Sequence, residues 1–98
     1  MSPREDIAPI FEKALELLDR RETLYGEAWK SSGRDTCFQA VFRKSTYLKA
    51  QRDKGCPNTG RAKEDLLDLI NWAAFSYWHL EKDENEEASR HTDPRVEL

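Results

Sequence analysis

Three stretches of this chain repeat apolar residues at helical spacing, and clusters of glycine, serine, asparagine and proline separate them. In the first, Ile7, Ile10, Phe11, Ala14, Leu15 and Leu18 recur at steps of three and four, with Glu12, Lys13, Glu16, Asp19 and Arg20 on the other side. Ser2-Pro3-Arg4-Glu5 has the form of a capping box with proline at the first helical position. A helix is therefore predicted from the start of the chain to about Leu24, before Gly26. Residues 26–34 hold two glycines and two serines around one tryptophan, which predicts a loop pinned by Trp29. The second helix is predicted to open at Asp35 or Thr36, with Thr36 and Gln39 as its capping box. It carries Phe38, Val41, Phe42, Ser45 and Leu48 on one side and stops at Lys54-Gly55.

Cys56-Pro57-Asn58-Thr59-Gly60 is a turn cluster, and a third helix is predicted to start at Thr59 or Gly60 and to run from about Arg61 to Glu81. It is the most apolar element, yet it contains Glu64, Asp65, Asp68 and Asn71. At about 100° per residue, Leu66, Leu69, Ile70, Ala73, Tyr77 and Leu80 gather on one face, and Asp65, Asp68, Trp72, Phe75 and His79 roughly opposite. The expectation is that the first face packs and the second is left for chemistry. Residues 82–98 offer little to bury, so they are expected to be a disordered acidic tail or a frayed helical extension. No repeat or β-alternation occurs. The expected class is all-α, a bundle of three to four helices in one domain over residues 1–81.

Composition fits such a domain: of 98 residues, 38% are hydrophobic and 36% charged, enough for a single modest core. No apolar run approaches the roughly 20 residues of a membrane span, and the charged N-terminus lacks a signal-peptide hydrophobic region, so a cytoplasmic protein is expected. Cys37 and Cys56 are read as free thiols, the former half buried. The net charge of −3 hides a division. Lys and Arg against Asp and Glu number four to seven in residues 1–29, nine to two in 30–63, none to four in 64–81 and three to six in 82–98. A basic middle segment between acidic ends implies either helices that neutralise one another or a basic patch facing a phosphate-bearing ligand. Nucleic acid is not the expected ligand, because the acidic third helix and tail would repel its backbone.

Asp65 and Asp68 are i,i+3 neighbours whose carboxylates can share a cation, and negative charge early in a helix also complements its dipole. The second helix offers no acid between Thr36 and Gln51. Instead it presents Arg43 and Lys44, and Lys44 is placed to pair with Asp65 or Asp68 across a helix interface or with a ligand phosphate. His79 reads as a dipole partner at a helix C-terminus. No Ser-His-Asp order, phosphate-binding glycine loop, dinucleotide fingerprint or nucleophile elbow occurs, which excludes those enzyme classes. Trp72, Phe75 and Trp78 lie on more than one face of the third helix, and three helices would cover them only in part. A partner surface is expected, most simply another copy of the chain.

Tyr25-Gly26-Glu27-Ala28-Trp29, the basic helix around Arg43-Lys44 and the run Glu64 to Ala73 resemble the nucleotide modification associated domain 1 family of phages and bacteria. That family is related to the all-α MazG-like nucleoside triphosphate pyrophosphatases, and the resemblance spans roughly residues 12–81. It implies a MazG-like bundle completed by homo-oligomerisation and a phosphorylated nucleotide as ligand. A phage-encoded member would work in the host cytoplasm. In the MazG-like enzymes a Glu-x-x-Glu pair on one helix and a Glu-x-x-Asp pair on the next hold magnesium. Here Asp65-Leu66-Leu67-Asp68, preceded by Glu64, resembles the second pair, and the first has no counterpart. The resemblance thus implies magnesium at Glu64, Asp65 and Asp68 if the protein is a pyrophosphohydrolase, but the basic second helix shifts the expectation from turnover to binding. The expected binding residues are Arg43 and Lys44 for phosphate, with Trp29, Trp72 and Tyr25 around the base.

Overall fold

The computed structural model of the protein describes residues 2–25 and 28–90, the side chains of 22–25, 89 and 90 excepted. Over these residues the chain is all-α: α1 (Pro3–Tyr25), α2 (Ala28–Ser32), α3 (Arg34–Asp53) and α4 (Thr59–Arg90). Ser2 caps α1 as expected, its Oγ accepting from the Glu5 N–H at 3.3 Å. At the far end of α3, Gly55 takes the left-handed conformation at φ +78°. This lets Cys56 N–H reach the Gln51 carbonyl at 2.8 Å and Gly55 N–H reach that of Arg52 at 2.9 Å, the paired bonds of a Schellman stop. Asn58 then caps α4, accepting from Arg61 N–H at 3.0 Å.

Three boundaries differ from the expectation. Residues 28–32 are a short helix rather than a loop, with the Ser31 and Ser32 hydroxyls both donating to the Ala28 carbonyl. Gly33, at φ +86°, ends the segment before α3, so α3 opens at Arg34 and the Thr36–Gln39 box does not cap it. Finally, α4 passes Glu81 and continues to Arg90. Two contacts support this extension: Asp83 pairs with Arg34 of α3 at 3.6 Å, and the Lys82 ammonium lies 5.3 Å from the Trp78 ring centre. Residues 91–98 lie outside the described residues.

α4 is the central element, packed against both α1 and α3, which hardly meet each other. Lys44 faces Asp65 and Asp68 while Arg34 faces Asp83, so α3 runs antiparallel to α4. Ala14 and Arg21 of α1 meet Asn71 and Glu64 in the same descending order.

The two faces of α4 are the reverse of the expectation. Asp65, Asp68, Asn71, Ser76 and His79 are buried, whereas Leu66, Tyr77 and Leu80 are exposed, Tyr77 at 64%. Hydrophobic periodicity assigns an apolar stripe to the inside, but here α1, α2 and α3 gather over the polar side. The inversion is tolerated because each buried polar side chain finds a partner there. Asp65 and Asp68 meet cations, Asn71 donates to the Ala14 carbonyl at 2.9 Å, Ser76 to that of Trp72 at 2.8 Å, and His79 bonds the Trp29 carbonyl. The buried apolar set is correspondingly small: Ala14, Leu17, Cys37 and Ala40. Ile7, Ile10, Phe11 and Leu15 of α1 and Phe42 of α3 are also exposed. None of the described helices is long and apolar enough to cross a membrane.

Candidate functional site

The polar side of α4 floors a cavity of about 350 Å³ between α1 and α3. Leu18 and Arg21 line it from α1, Ala28 and Trp29 from α2, Arg43 and Lys44 from α3, and Asp68, Asn71, Trp72 and Phe75 from α4. Trp29, Arg43, Lys44, Trp72 and Asp68, named from the sequence, therefore surround one space. Asp65 lies directly behind it, bound to Lys44, and Glu64 stands at the rim, half exposed, bound to Arg21. The Tyr25 side chain lies outside the described residues.

Charge is distributed unevenly around this space. The Lys44 ammonium sits 3.0 Å from Asp68 Oδ2 and 3.6 Å from Asp65 Oδ1, the cross-helix pairing expected from its place beside the apolar stripe. The aspartate side chains are 5% and 3% exposed and Lys44 15%, so this is a buried ionic cluster. Arg21 bridges its outer edge, at 3.1 Å from Asp68 Oδ1 and 2.9 Å from Glu64 Oε1. Arg61, one turn before Asp65, lies 3.7 Å from it. Arg43 is exposed at the cavity and has no acidic partner among the described residues.

Magnesium needs near-octahedral oxygen coordination, and the donor set does not fit it. Lys44 occupies the space between the two aspartates, and Glu64 is turned to Arg21. Among the described residues no three His, Cys, Asp or Glu side chains converge as a cation cage.

The aromatic wall has an order of its own. Trp29 stacks on Phe75 with ring centres 4.3 Å apart and planes 10° from parallel, and Trp78 meets it edge-on at 5.0 Å. The Lys30 ammonium lies 5.6 Å from the Trp29 ring centre. The Trp29 carbonyl accepts from His79 Nε2 at 2.8 Å, and the Cys37 Sγ lies 4.0 Å from it. A carbonyl can only accept, so Nε2 carries the proton. Trp29 is thus the anchor that clamps α2 between α3 and α4, as the sequence suggested. His79 has a different place from the one expected: α4 continues past it, and it is a buried tether rather than a dipole partner at a helix end. With a face of Trp29 committed to Phe75, the half-buried Trp72 is the ring left to present surface to the cavity. It meets Phe75 edge-on at 5.3 Å.

Cys37 is fully buried rather than half buried, and burial pushes its thiol above the usual cysteine range. Cys56 is exposed, and both are free thiols.

Arg21 is the site residue that sequence reasoning missed. The signal was available: it continues the Ala14, Leu17, Leu18 register of α1, and a cation on the buried side of a helix needs an acid opposite. Comparison with protein-family models, with curated proteins and with solved structures finds no match to this chain.

Proposed function

We propose that this chain is a nucleotide-binding protein of MazG-like architecture, acting in modified-nucleotide metabolism or in nucleotide sequestration. One observation carries the reading: a single cavity combines an available aromatic ring, Trp72, with an exposed guanidinium, Arg43, that no described acid engages. A flat heteroaromatic ring and an attached phosphate require this pair of features, one for stacking and one for a charge-assisted bond. Around them the Lys44–Asp65–Asp68–Arg21 cluster holds three helices in register and keeps the cavity open. Asp65 and Asp68, the acids that would hold a metal, are engaged by Lys44, Arg21 and Arg61, which favours binding over metal-assisted hydrolysis. The test is calorimetry with mono-, di-, tri- and cyclic nucleotides, with and without magnesium, on the wild type and on Trp72→Ala. Binding weakened tenfold or more in the variant supports the reading, and the absence of heat from every nucleotide sinks it.

The same reading makes the protein a homo-oligomer. On the side of α4 away from the cavity, Ile70, Ala73, Ala74 and Tyr77 form a low ridge with a groove on either side. One groove is lined by Phe11 and Leu15 of α1, the other by Phe38, Val41 and Phe42 of α3. Neither is lined by a charged residue. Two such faces related by a two-fold axis can interdigitate ridge into groove, with the alanines allowing close approach. Light scattering coupled to size exclusion should give a dimer or larger species for the wild type and a monomer for Ala73→Glu. A monomeric wild type at micromolar concentration refutes the oligomer.

A further inference from the structure

The charges around the cavity allow the ligand to be specified further, on the premise that the protein binds a nucleotide. Three carboxylates, Glu64, Asp65 and Asp68, are met by three cations, Arg21, Lys44 and Arg61, and every one of the six is within 4 Å of an opposite charge. That cluster is electrically neutral, and its cations are already engaged. Among the described residues, Arg43 is the one cation lining the cavity that no acid engages. We infer that the ligand carries a single negative charge next to its heteroaromatic ring: a monoanionic phosphodiester, as in a cyclic nucleotide, rather than a nucleoside di- or triphosphate.

Two physical considerations lead to this class. A second or third phosphate charge would either lie unpaired in a half-enclosed, partly apolar space or draw Lys44 and Arg21 away from aspartates that are almost fully buried, leaving those uncompensated. The aspartates themselves repel an approaching anion, and only their pairing with Lys44 and Arg21 cancels that repulsion. Volume agrees with charge. About 350 Å³ stands at the lower end of the roughly 300–1,000 Å³ typical of small-molecule sites, enough for one base and one phosphate group but little for an extended polyphosphate. The bidentate fork of Arg43 suits a diester, which presents two equivalent non-bridging oxygens.

The experiment is titration calorimetry of the full chain, in magnesium-free buffer at fixed ionic strength, with adenosine, 3′,5′-cyclic AMP, AMP and ATP, and with the guanine series. The expected result is that the cyclic monoanion of at least one base binds ten times more tightly than both its nucleoside and its triphosphate. Arg43→Gln should bring the cyclic nucleotide down to the level of the nucleoside, and Arg43→Lys should recover part of the difference. Arg43 is exposed, so neither variant threatens folding. A triphosphate that binds as tightly as the cyclic monoanion overturns this inference and leaves nucleotide binding standing. Equal binding of nucleoside and cyclic nucleotide also overturns it, because the charge would then have no partner. No binding by any member overturns both.

Discussion

Replacing Lys44 by methionine removes one ammonium and leaves the shape of the α3–α4 contact nearly intact. Lys44 Nζ stands 3.0 Å from Asp68 and 3.6 Å from Asp65, whose side chains are 5% and 3% exposed. Removing one partner of a buried ion pair costs about 3–5 kcal/mol, most of it the penalty of the charge left behind. Here the penalty is reduced, since Asp68 keeps Arg21 at 3.1 Å and Asp65 keeps the more distant, largely exposed Arg61 at 3.7 Å. The expected loss is about 2–3 kcal/mol, which for a domain of this size lowers the melting temperature by roughly 10–20 °C. Urea denaturation followed by circular dichroism should show a lower midpoint with an unchanged slope. Protein concentration must be held constant, because an oligomer makes the midpoint depend on it. The variant Lys44→Met/Asp65→Asn/Asp68→Asn, which removes the stranded charges, should recover most of the loss. A single-variant loss below about 0.5 kcal/mol, the size of an exposed pair, would refute the claim that α3 and α4 are joined by a desolvated ionic cluster.

Further expectations follow from the same packing. Asn71→Ala loses the bond to the Ala14 carbonyl and should cost about 1 kcal/mol. Asn71→Asp, which sets a carboxylate against that carbonyl, should cost at least twice as much by urea denaturation. In a thiol-reagent assay at pH 8, Cys56 should react within minutes. Cys37, buried and with its thiol pushed up so that little thiolate forms, should react only as the protein is unfolded; two equally fast thiols would contradict the burial. Trp29→Ala removes the ring that Phe75 and Trp78 pack against and should cost about 3–5 kcal/mol, with loss of near-ultraviolet dichroism. Retention of both signals would show that α2 is not held by this ring.

Much of the fold is legible in the residue order, because helices and their ends are local. Ser2-Pro3 at the start of α1 and Lys54-Gly55 at the stop of α3 act within a single turn of chain, and their signals were sufficient. The start of α3 was less legible because Thr36 competed with Gly33, and a box sequence marks a cap only where the chain has already turned. The end of α4 was legible only as one of two alternatives, a disordered tail or a helical extension: the helix does continue to Arg90, and its contact with Arg34, distant in sequence, is not visible to local polarity. Of the site, Asp68 stands out as an acid in an apolar helix, Arg43 and Lys44 as cations where acids were expected, and Trp29 and Trp72 as large rings in a loop and on a partly covered face; the five surround one cavity. Arg21 carried a local signal, its place on the buried side of α1, but no local rule links residues 21 and 68, so its partner was not legible.

By itself the sequence determines that this chain is helical, where its main helices turn, and that α4 carries an acidic and an apolar side. Only the tertiary structure decides which side is covered. An apolar stripe predicts burial when water is its alternative, but a polar face can take the interior once Lys44, Arg21 and the Ala14 and Trp29 carbonyls arrive from other helices to satisfy it. Those partners lie far away along the chain. Their meeting turns Asp65, Asp68 and Asn71 from isolated polar positions into a buried, partnered set, and among the described residues it leaves Arg43 as the cation at the cavity that no acid engages.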